Sequence, residues 1–290
     1  MLSEVLYNQD IVRDLEPDEI IEIFLRGAEI LALEPPLVQL EATDGGVVFV
    51  GDTHGDFSIT KYITAKFLRE SDKYLVFLGD YIDREPEPEG SFLNLLYLCL
   101  LKIEFPNRVF LLKGNHEAHY AFFCYPYQFD KSLVDIFGTY GRQIHEVAID
   151  FFKEMPLMLK TSNGIIAAHA GFPLHGQSID DKSRKDLIVD ILWADAQISP
   201  MFRGVDMPKF SEEQLAEFLN KMNATCFIRG HDPFLAGKII YSKRCITLST
   251  SRSYVFRGGI KIARANLGQP VKNTDDILLE DITSCLAASE

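Results

Sequence analysis

The 290-residue chain has no apolar run long enough to cross a membrane. Its longest, Phe92 to Leu101 (FLNLLYLCLL), is half of the roughly 20 residues a span needs and reads as a buried helix. It has no Lys/Arg cluster and carries 29 basic against 42 acidic residues, a net charge of −13. That balance argues against sequence-independent binding to nucleic acid or an anionic membrane, and the acidity itself reads as solubility. No CxxC pair occurs among its five cysteines, which are odd in number and far apart (Cys99, Cys124, Cys226, Cys245 and Cys285). Reduced thiols in an intracellular, cytoplasmic protein are the expectation. The opening segment, MLSEVLYNQDIVRD, lacks the basic stretch and apolar core of a signal peptide. Repeats and low-complexity stretches are absent too. What remains is 47% hydrophobic and 24% charged, the profile of an ordinary globular chain and not of a disordered, collagen-like or disulfide-stapled one.

The apolar pattern is regular. Pro17, followed by Asp18 and Glu19, starts a helix whose Ile20, Phe24, Ala28 and Leu31 share one face, and Pro35-Pro36 ends it. From residue 47, short apolar runs alternate with stretches of helical length. Val47–Val50, Lys73–Leu78 and Arg108–Leu112 read as strands, and Ser58–Arg69 and Ser91–Glu104 as the helices between them. Such repeats build βαβ units with buried strands. Further on, Gly164–Ala168, Thr225–Ile228, Ile239–Tyr241, Cys245–Leu248, Tyr254–Phe256 and Ile260–Ala263 read as strands, the later ones close enough to suggest an antiparallel sheet. Ser211 with Gln214 forms a capping box for a helix whose apolar face is Leu215, Phe218, Leu219 and Met222. Three parts are expected: an N-terminal helical segment over residues 1–46 packing on the rest, a catalytic domain over 47–267, and a peripheral acidic tail over 268–290.

Five strand ends run directly into potential metal ligands. Asp52 and His54 lie in Gly-Asp-Thr-His-Gly-Asp56, and Asp80 and Asp83 in Gly-Asp-Tyr-Ile-Asp-Arg84. Asn115 and His116 lie in Gly-Asn-His-Glu117, His169 in His-Ala-Gly171, and His231 in Arg-Gly-His231. Each of these motifs alone could be turn chemistry or a satisfied core histidine. Together they place four of the seven histidines beside glycines at strand ends, where open α/β sheets leave a crevice. Asp, Asn and His donors suit manganese, iron or zinc better than calcium or magnesium, which favour all-oxygen shells. There are enough ligands for two ions if one carboxylate bridges, an arrangement suited to in-line displacement at phosphorus. Arg84, beside the ligand loop, supplies a cation for phosphoryl oxygens.

In this order the motifs resemble the signature of the phosphoprotein phosphatase family, the metallophosphoesterase branch that holds the type-1, type-2A and calcineurin-like Ser/Thr phosphatases. The likeness runs from about Pro17 to Ala265 and includes Leu192-Trp193-Ala-Asp195, Arg203-Gly-Val205 and Thr247-Leu248 leading to Tyr254. It implies a central β-sandwich flanked by helices, in αββα layers, with the site at strand C-terminal ends. It also implies a dinuclear centre, most often manganese, activating water to hydrolyse phosphoserine and phosphothreonine in phosphorylated proteins. One ion would be held by Asp52, His54 and Asp80. A second, sharing Asp80, would be held by Asn115, His169 and His231. His116 would be the general acid, held by Asp83, with Arg84, Arg203, Asn115 and Tyr254 at the phosphate. The resemblance names no regulatory subunit.

The chain departs from that pattern in places. Asp56 stands where the signature has Gln, and Glu85-Pro-Glu-Pro-Glu89 replaces a glycine after Asp-x-x-Asp-Arg. Ala170 follows His169 where a Gly is usual, and Ser249-Thr-Ser-Arg-Ser-Tyr254 replaces Ser-Ala-Pro-Asn-Tyr. Two expectations follow: that Arg252 adds a cation for a substrate anion at the mouth of the site, and that Glu85, Glu87 and Glu89 steer basic-flanked substrates. The alternative for that acidic run is a solvated loop stiffened by Pro86 and Pro88. Two other functions fit parts of the pattern: a symmetrical dinucleoside-tetraphosphate hydrolase using the same metal loops, and an inactive phosphoprotein-binding scaffold, which would lack a ligand or the acid.

Overall fold

Strand parity decides the architecture. In Gly46–Val50 (β2), Val47 and Phe49 point to one side and Val48 and Val50 to the other, and all four are buried. A strand covered on both faces belongs to the inside of a layered α/β protein. The computed structural model describes residues 4–286. After a short turn of helix, Glu4–Tyr7 (α1), come Pro17–Ala32 (α2), Leu37–Leu40 (β1), β2, Phe57–Phe67 (α3), Lys73–Phe77 (β3), Gly90–Glu104 (α4) and Val109–Leu111 (β4). Phe129–Phe137 (α5), Tyr140–Glu154 (α6), Met158–Thr161 (β5), Ile165–Ala168 (β6), Lys185–Trp193 (α7), Asp195–Ala196 (β7) and Lys209–Phe210 (β8) follow. The chain ends with Glu212–Lys221 (α8), Cys226–Arg229 (β9), Ile239–Ile240 (β10), Cys245–Thr247 (β11), Lys261–Asn266 (β12), Leu278–Asp281 (β13) and Thr283–Leu286 (α9).

Two sheets carry the fold, ordered β1-β5-β6-β9-β11-β10 and β13-β12-β2-β3-β4. Val47, Phe49, Val76 and Phe110 of one pack against Leu159, Ala167, Ile228 and Ile246 of the other, forming the core between the sheets. The opposite parity of β2–β4 (Val48, Val50, Leu75, Phe77, Val109, Leu111) packs under α2–α6. On the far side, Met158, Ile166, Ala168 and Phe227 pack under α7 and α8. Helices therefore cover both outer faces, in αββα layers, and the apolar run in α4 is buried as its composition requires.

The second half differs from the antiparallel expectation. β6, β9 and β11 pair parallel, β10 lies antiparallel on β11, and β12 crosses to the other sheet to lie antiparallel to β2 and β13. Tyr254–Phe256 is not a strand. It lies in a 3-10 turn over Arg252–Arg257, capped by the Ser251 hydroxyl accepting from Ser253 N. The helix at Ser211 forms with both arms of its capping box. In the N-terminal segment α2 lies against α4 and α6, while β1 pairs with β5. From Gly268 onward, β13 is an edge strand on β12, and Val271, Ile277 and Ile282 are buried. No helix among the described residues is long and apolar enough to cross a membrane.

Candidate active site

The loops after β2, β3, β4, β6 and β9 meet, and they carry Asp52, His54, Asp80, Asp83, Arg84, Asn115, His116, His169 and His231. Their backbone is unusual: His54, Asp80, Asp83, Arg84 and His231 all have positive φ, from +44° to +71°. Left-handed backbone at non-glycine residues costs about 1–3 kcal/mol each and persists where the surroundings impose it, typically at functional sites. Gly114 and Gly230 are among the glycines here that leave no room for a side chain. A Cβ on Gly114 would collide with Asp80 N, and one on Gly230 with Asp52 Oδ1.

His54 Nδ1 lies 3.0 Å from Ile82 O, and His169 Nδ1 lies 3.0 Å from Leu78 O. Each ring therefore donates through Nδ1 and presents the Nε2 lone pair to the site, as metal-binding histidines do. Asn115 Oδ1, His169 Nε2 and His231 Nδ1 converge to 2.9–3.1 Å of one another. Asp80 joins two clusters, one with His54 and His116, the other with His169 and His231. His54 Nε2 is 3.6 Å from one of its oxygens and His169 Nε2 is 3.5 Å from the other. Asp52 stands slightly apart, both oxygens accepting from His231 N at 3.0 Å.

Burial, aided by Arg84 and His116, drives the His54 imidazolium down to about 3. Burial and Arg229 bring His169 to about 4, and His231 lies well below the usual range. Neutral imidazoles are the state a metal takes. Burial, then the charge of Asp80, pushes Asp52 well up. Burial pulls Asp80 the same way but is outweighed by His169, His116, His54 and Arg84, which hold it below the carboxylate range. Two buried carboxylates beside three acceptor atoms that face each other form a donor set whose missing partner is a cation, so the residues fit divalent metal ions.

His116 is oriented differently. Its Nδ1 is 2.5 Å from Asp83 Oδ2, and Asp83 Oδ1 accepts from Gln128 N at 2.8 Å. Its Nε2 is buried and has no hydrogen-bond partner among the described residues. Arg84 Nη1 donates to His54 Nε2 and to the Tyr254 hydroxyl, both at 3.1 Å. Arg203 stands behind His231, donating to Asp195 Oδ2 and to His231 O, each at 2.9 Å.

Arg252 does not stand as a cation presented to a substrate anion. Its guanidinium is held by Asp56 and Glu87. The acidic loop is likewise engaged: Glu87 accepts from Ser58 N and Oγ, and Glu85 from Ser91 Oγ. Two residues escaped the sequence reading. Glu117, within the quoted motif, accepts from Asp80 N, Tyr81 N and Gly114 N at 2.8–2.9 Å, tying two ligand loops together. Burial and Asp80 raise it to about 8. Cys124, in no motif, lies 3.1 Å from Asn115 Nδ2 and so fixes which way that amide faces. No sequence signal marks it. The described cysteines (Cys99, Cys124, Cys226 and Cys245) are all unpaired, and the side chain of Cys285 lies outside the described residues.

The calcineurin-like phosphoesterase family model matches residues 46–234, and the chain belongs to that family. A serine/threonine-protein phosphatase of Caenorhabditis elegans is 27% identical over 283 residues, 90% of this chain and 60% of its own length. Serine/threonine-protein phosphatase T of Trypanosoma brucei brucei is 26% identical over 269 residues, 85% of this chain and 54% of its own. The chain thus spans little more than half the length of these curated relatives. Among solved structures, a Saccharomyces cerevisiae protein serine/threonine phosphatase with similarity to human phosphatase PP5 superposes with a TM-score of 0.77 at 22% identity, over 92% of this chain and 89% of that one. A cold-active protein-tyrosine phosphatase of a psychrophilic Shewanella reaches 0.59 at 17%, over 83% and 80%. Both share the metallophosphoesterase fold.

Proposed function

We propose that the chain is a metal-dependent phosphatase that hydrolyses phosphoserine and phosphothreonine monoesters in proteins. The observation that carries this reading is His116 Nε2, a buried imidazole nitrogen without a hydrogen-bond partner among the described residues, set 4.0 Å from the carboxylate shared by two metal-fitting clusters. Asp52, His54 and Asp80 would hold one divalent ion, and Asp80, Asn115, His169 and His231 the other. Manganese is the first choice, with iron or zinc as alternatives. When bound, the pair supplies water activation and positive charge for in-line displacement at phosphorus.

The chain does the rest. Arg84, steadied by the Tyr254 hydroxyl, offers its guanidinium to the phosphoryl oxygens, with Asn115 Nδ2 and the charge of Arg203 beside it. His116 gives its Nε2 proton to the departing alkoxide as the P–O bond breaks, while Asp83 keeps Nδ1–H in place. A serine or threonine alkoxide leaves poorly without that proton, whereas a tyrosine phenol, with an ordinary pKa near 10, needs it less. Two relatives are named serine/threonine-protein phosphatases, and those names support a protein substrate for this chain over a dinucleotide.

The test compares kcat/KM of the manganese-loaded protein for matched phosphothreonine, phosphoserine and phosphotyrosine peptides and for diadenosine tetraphosphate. Preference for the first two supports the reading. Cleavage of the dinucleotide alone overturns the substrate, and inactivity on all four with manganese, iron or zinc points to a binding scaffold.

A further inference from the structure

Asp56 closes the first ligand motif and is fully buried at the start of α3, where its Oδ1 accepts from Ile59 N at 3.2 Å. Arg252 lies 196 residues further along and meets it with both backbone and side chain. Arg252 N donates to Oδ2 at 2.7 Å, Nε is 3.1 Å from both oxygens, and Nη2 is 2.9 Å from Oδ1. Nη2 also reaches Glu87 Oε1 at 3.1 Å, and Glu87 is itself fastened to Ser58 on α3. One guanidinium thus joins the first metal loop to the acidic loop, with charge-assisted bonds whose fork geometry a lysine cannot reproduce.

The next two residues carry the consequence. Ser253 Oγ donates to Arg84 O at 2.7 Å, and the Tyr254 hydroxyl accepts from Arg84 Nη1 at 3.1 Å. The Tyr254 ring lies 5.6 Å from the His54 ring. Arg84 has φ +59°, a conformation that lasts only while its neighbours impose it. We propose that Arg252 and Asp56 are a positioning pair that sets the Tyr254–Arg84 clamp, and through it the affinity for a phosphoryl group, without either residue touching that group. The pair rests on the phosphoesterase reading above and adds two residues to it. Both stand where this chain departs from the family pattern, Asp for Gln at 56 and Arg252 within the altered Ser249–Tyr254 loop, and the structure makes the two departures partners.

The test uses manganese-loaded protein and inorganic phosphate as the probe, titrated calorimetrically. It is read alongside kcat and KM for p-nitrophenyl phosphate and a phosphothreonine peptide. Arg252→Ala is expected to weaken phosphate binding and raise KM roughly tenfold, the scale of one charge-assisted hydrogen bond, with kcat nearly unchanged and manganese content retained. Arg252→Lys should recover part of the loss. Asp56→Asn combined with Arg252→Ala should be no worse than the arginine variant alone, and Tyr254→Phe should cost less in that background than in the wild type. An unchanged phosphate Kd in folded, manganese-loaded Arg252→Ala overturns the pair, as does full additivity. If Arg252→Ala does not fold, Arg252→Lys and Asp56→Asn carry the same comparison. If the wild type leaves the phosphopeptide intact, the substrate reading fails, while the phosphate Kd still decides the pair.

Discussion

His116 and Asp83 form a short polar contact, 2.5 Å from Nδ1 to Oδ2, and the other ring nitrogen is buried with no hydrogen-bond partner among the described residues. The ring is thereby fixed with one nitrogen held, and on the proposed reading the other gives its proton to the leaving group. Replacement by Asn should lower kcat on a phosphothreonine peptide by about 10²–10⁴, the usual worth of general acid catalysis, with little change in KM. The loss should shrink for p-nitrophenyl phosphate, whose leaving group needs no proton. Equal losses on both substrates would contradict the assignment, and Asp83→Asn should follow the same pattern with a smaller effect.

Removing the metals should be felt as lost stability, because two buried carboxylates then face each other across a cluster of neutral imidazoles. A ligand present at 100 times its Kd adds about 2.7 kcal/mol. Exhaustive chelation should lower Tm by several degrees, and restoring manganese should return it. A Tm indifferent to chelation would contradict the cation-binding reading of the cluster.

Gly230 is confined by Asp52 Oδ1, which a Cβ would overlap. Gly230→Ala should weaken manganese binding by roughly tenfold or more, since the carboxylate must move, while the core between the sheets stays intact. The check is the manganese concentration for half-maximal activity, set beside the Tm of the metal-free protein. An unchanged manganese requirement would show that Asp52 can shift without consequence.

Lys113 gives a pH dependence of known sign. It is buried, its Nζ donating to the Tyr120 hydroxyl and Lys153 O at 3.0 Å and to Lys182 O at 3.4 Å, all neutral acceptors, while Glu154, Asp181 and Glu117 act on it only at longer range. Burial, with Lys182 adding, pulls it down to about 7. The unfolded chain holds that proton up to the ordinary lysine value near 10.4. Between those limits the unfolded state binds more protons, so this group makes stability rise with pH, by up to about 1.4 kcal/mol per unit. Lys113→Met should remove that rise. Denaturant unfolding of both proteins at pH 7, 8.5 and 10 tests it, and a constant difference between them would contradict it.

The metal-fitting residues were legible because each follows a short apolar strand at once and sits beside a glycine, so position and chemistry agree. The layers were implied by the family resemblance, and the structure bears them out in the parity of Val47 and Phe49 against Val48 and Val50. What stayed hidden depends on partners far away in the chain. Leu37–Leu40 is four residues long and becomes a strand by pairing with Met158–Thr161, some 120 residues on. Tyr254–Phe256 has the composition of a strand, yet a turn prevails because Asp56 draws in Arg252 N and the Ser251 hydroxyl caps Ser253. Arg252 resembled a substrate cation for the same reason: nothing local announces that Asp56 and Glu87 already hold it. Glu117 was in plain view within its motif, but three backbone amides converging on one carboxylate leave no pattern in a sequence.

The most direct measurement is a manganese titration of the metal-stripped protein that follows phosphate release from a phosphothreonine peptide, with bound metal counted at each step. The account predicts negligible activity without metal, a rise to full activity as two ions per chain are bound, and loss of the second ion in His169→Ala. Full turnover by metal-free protein, or by protein saturated at a single ion, would contradict it.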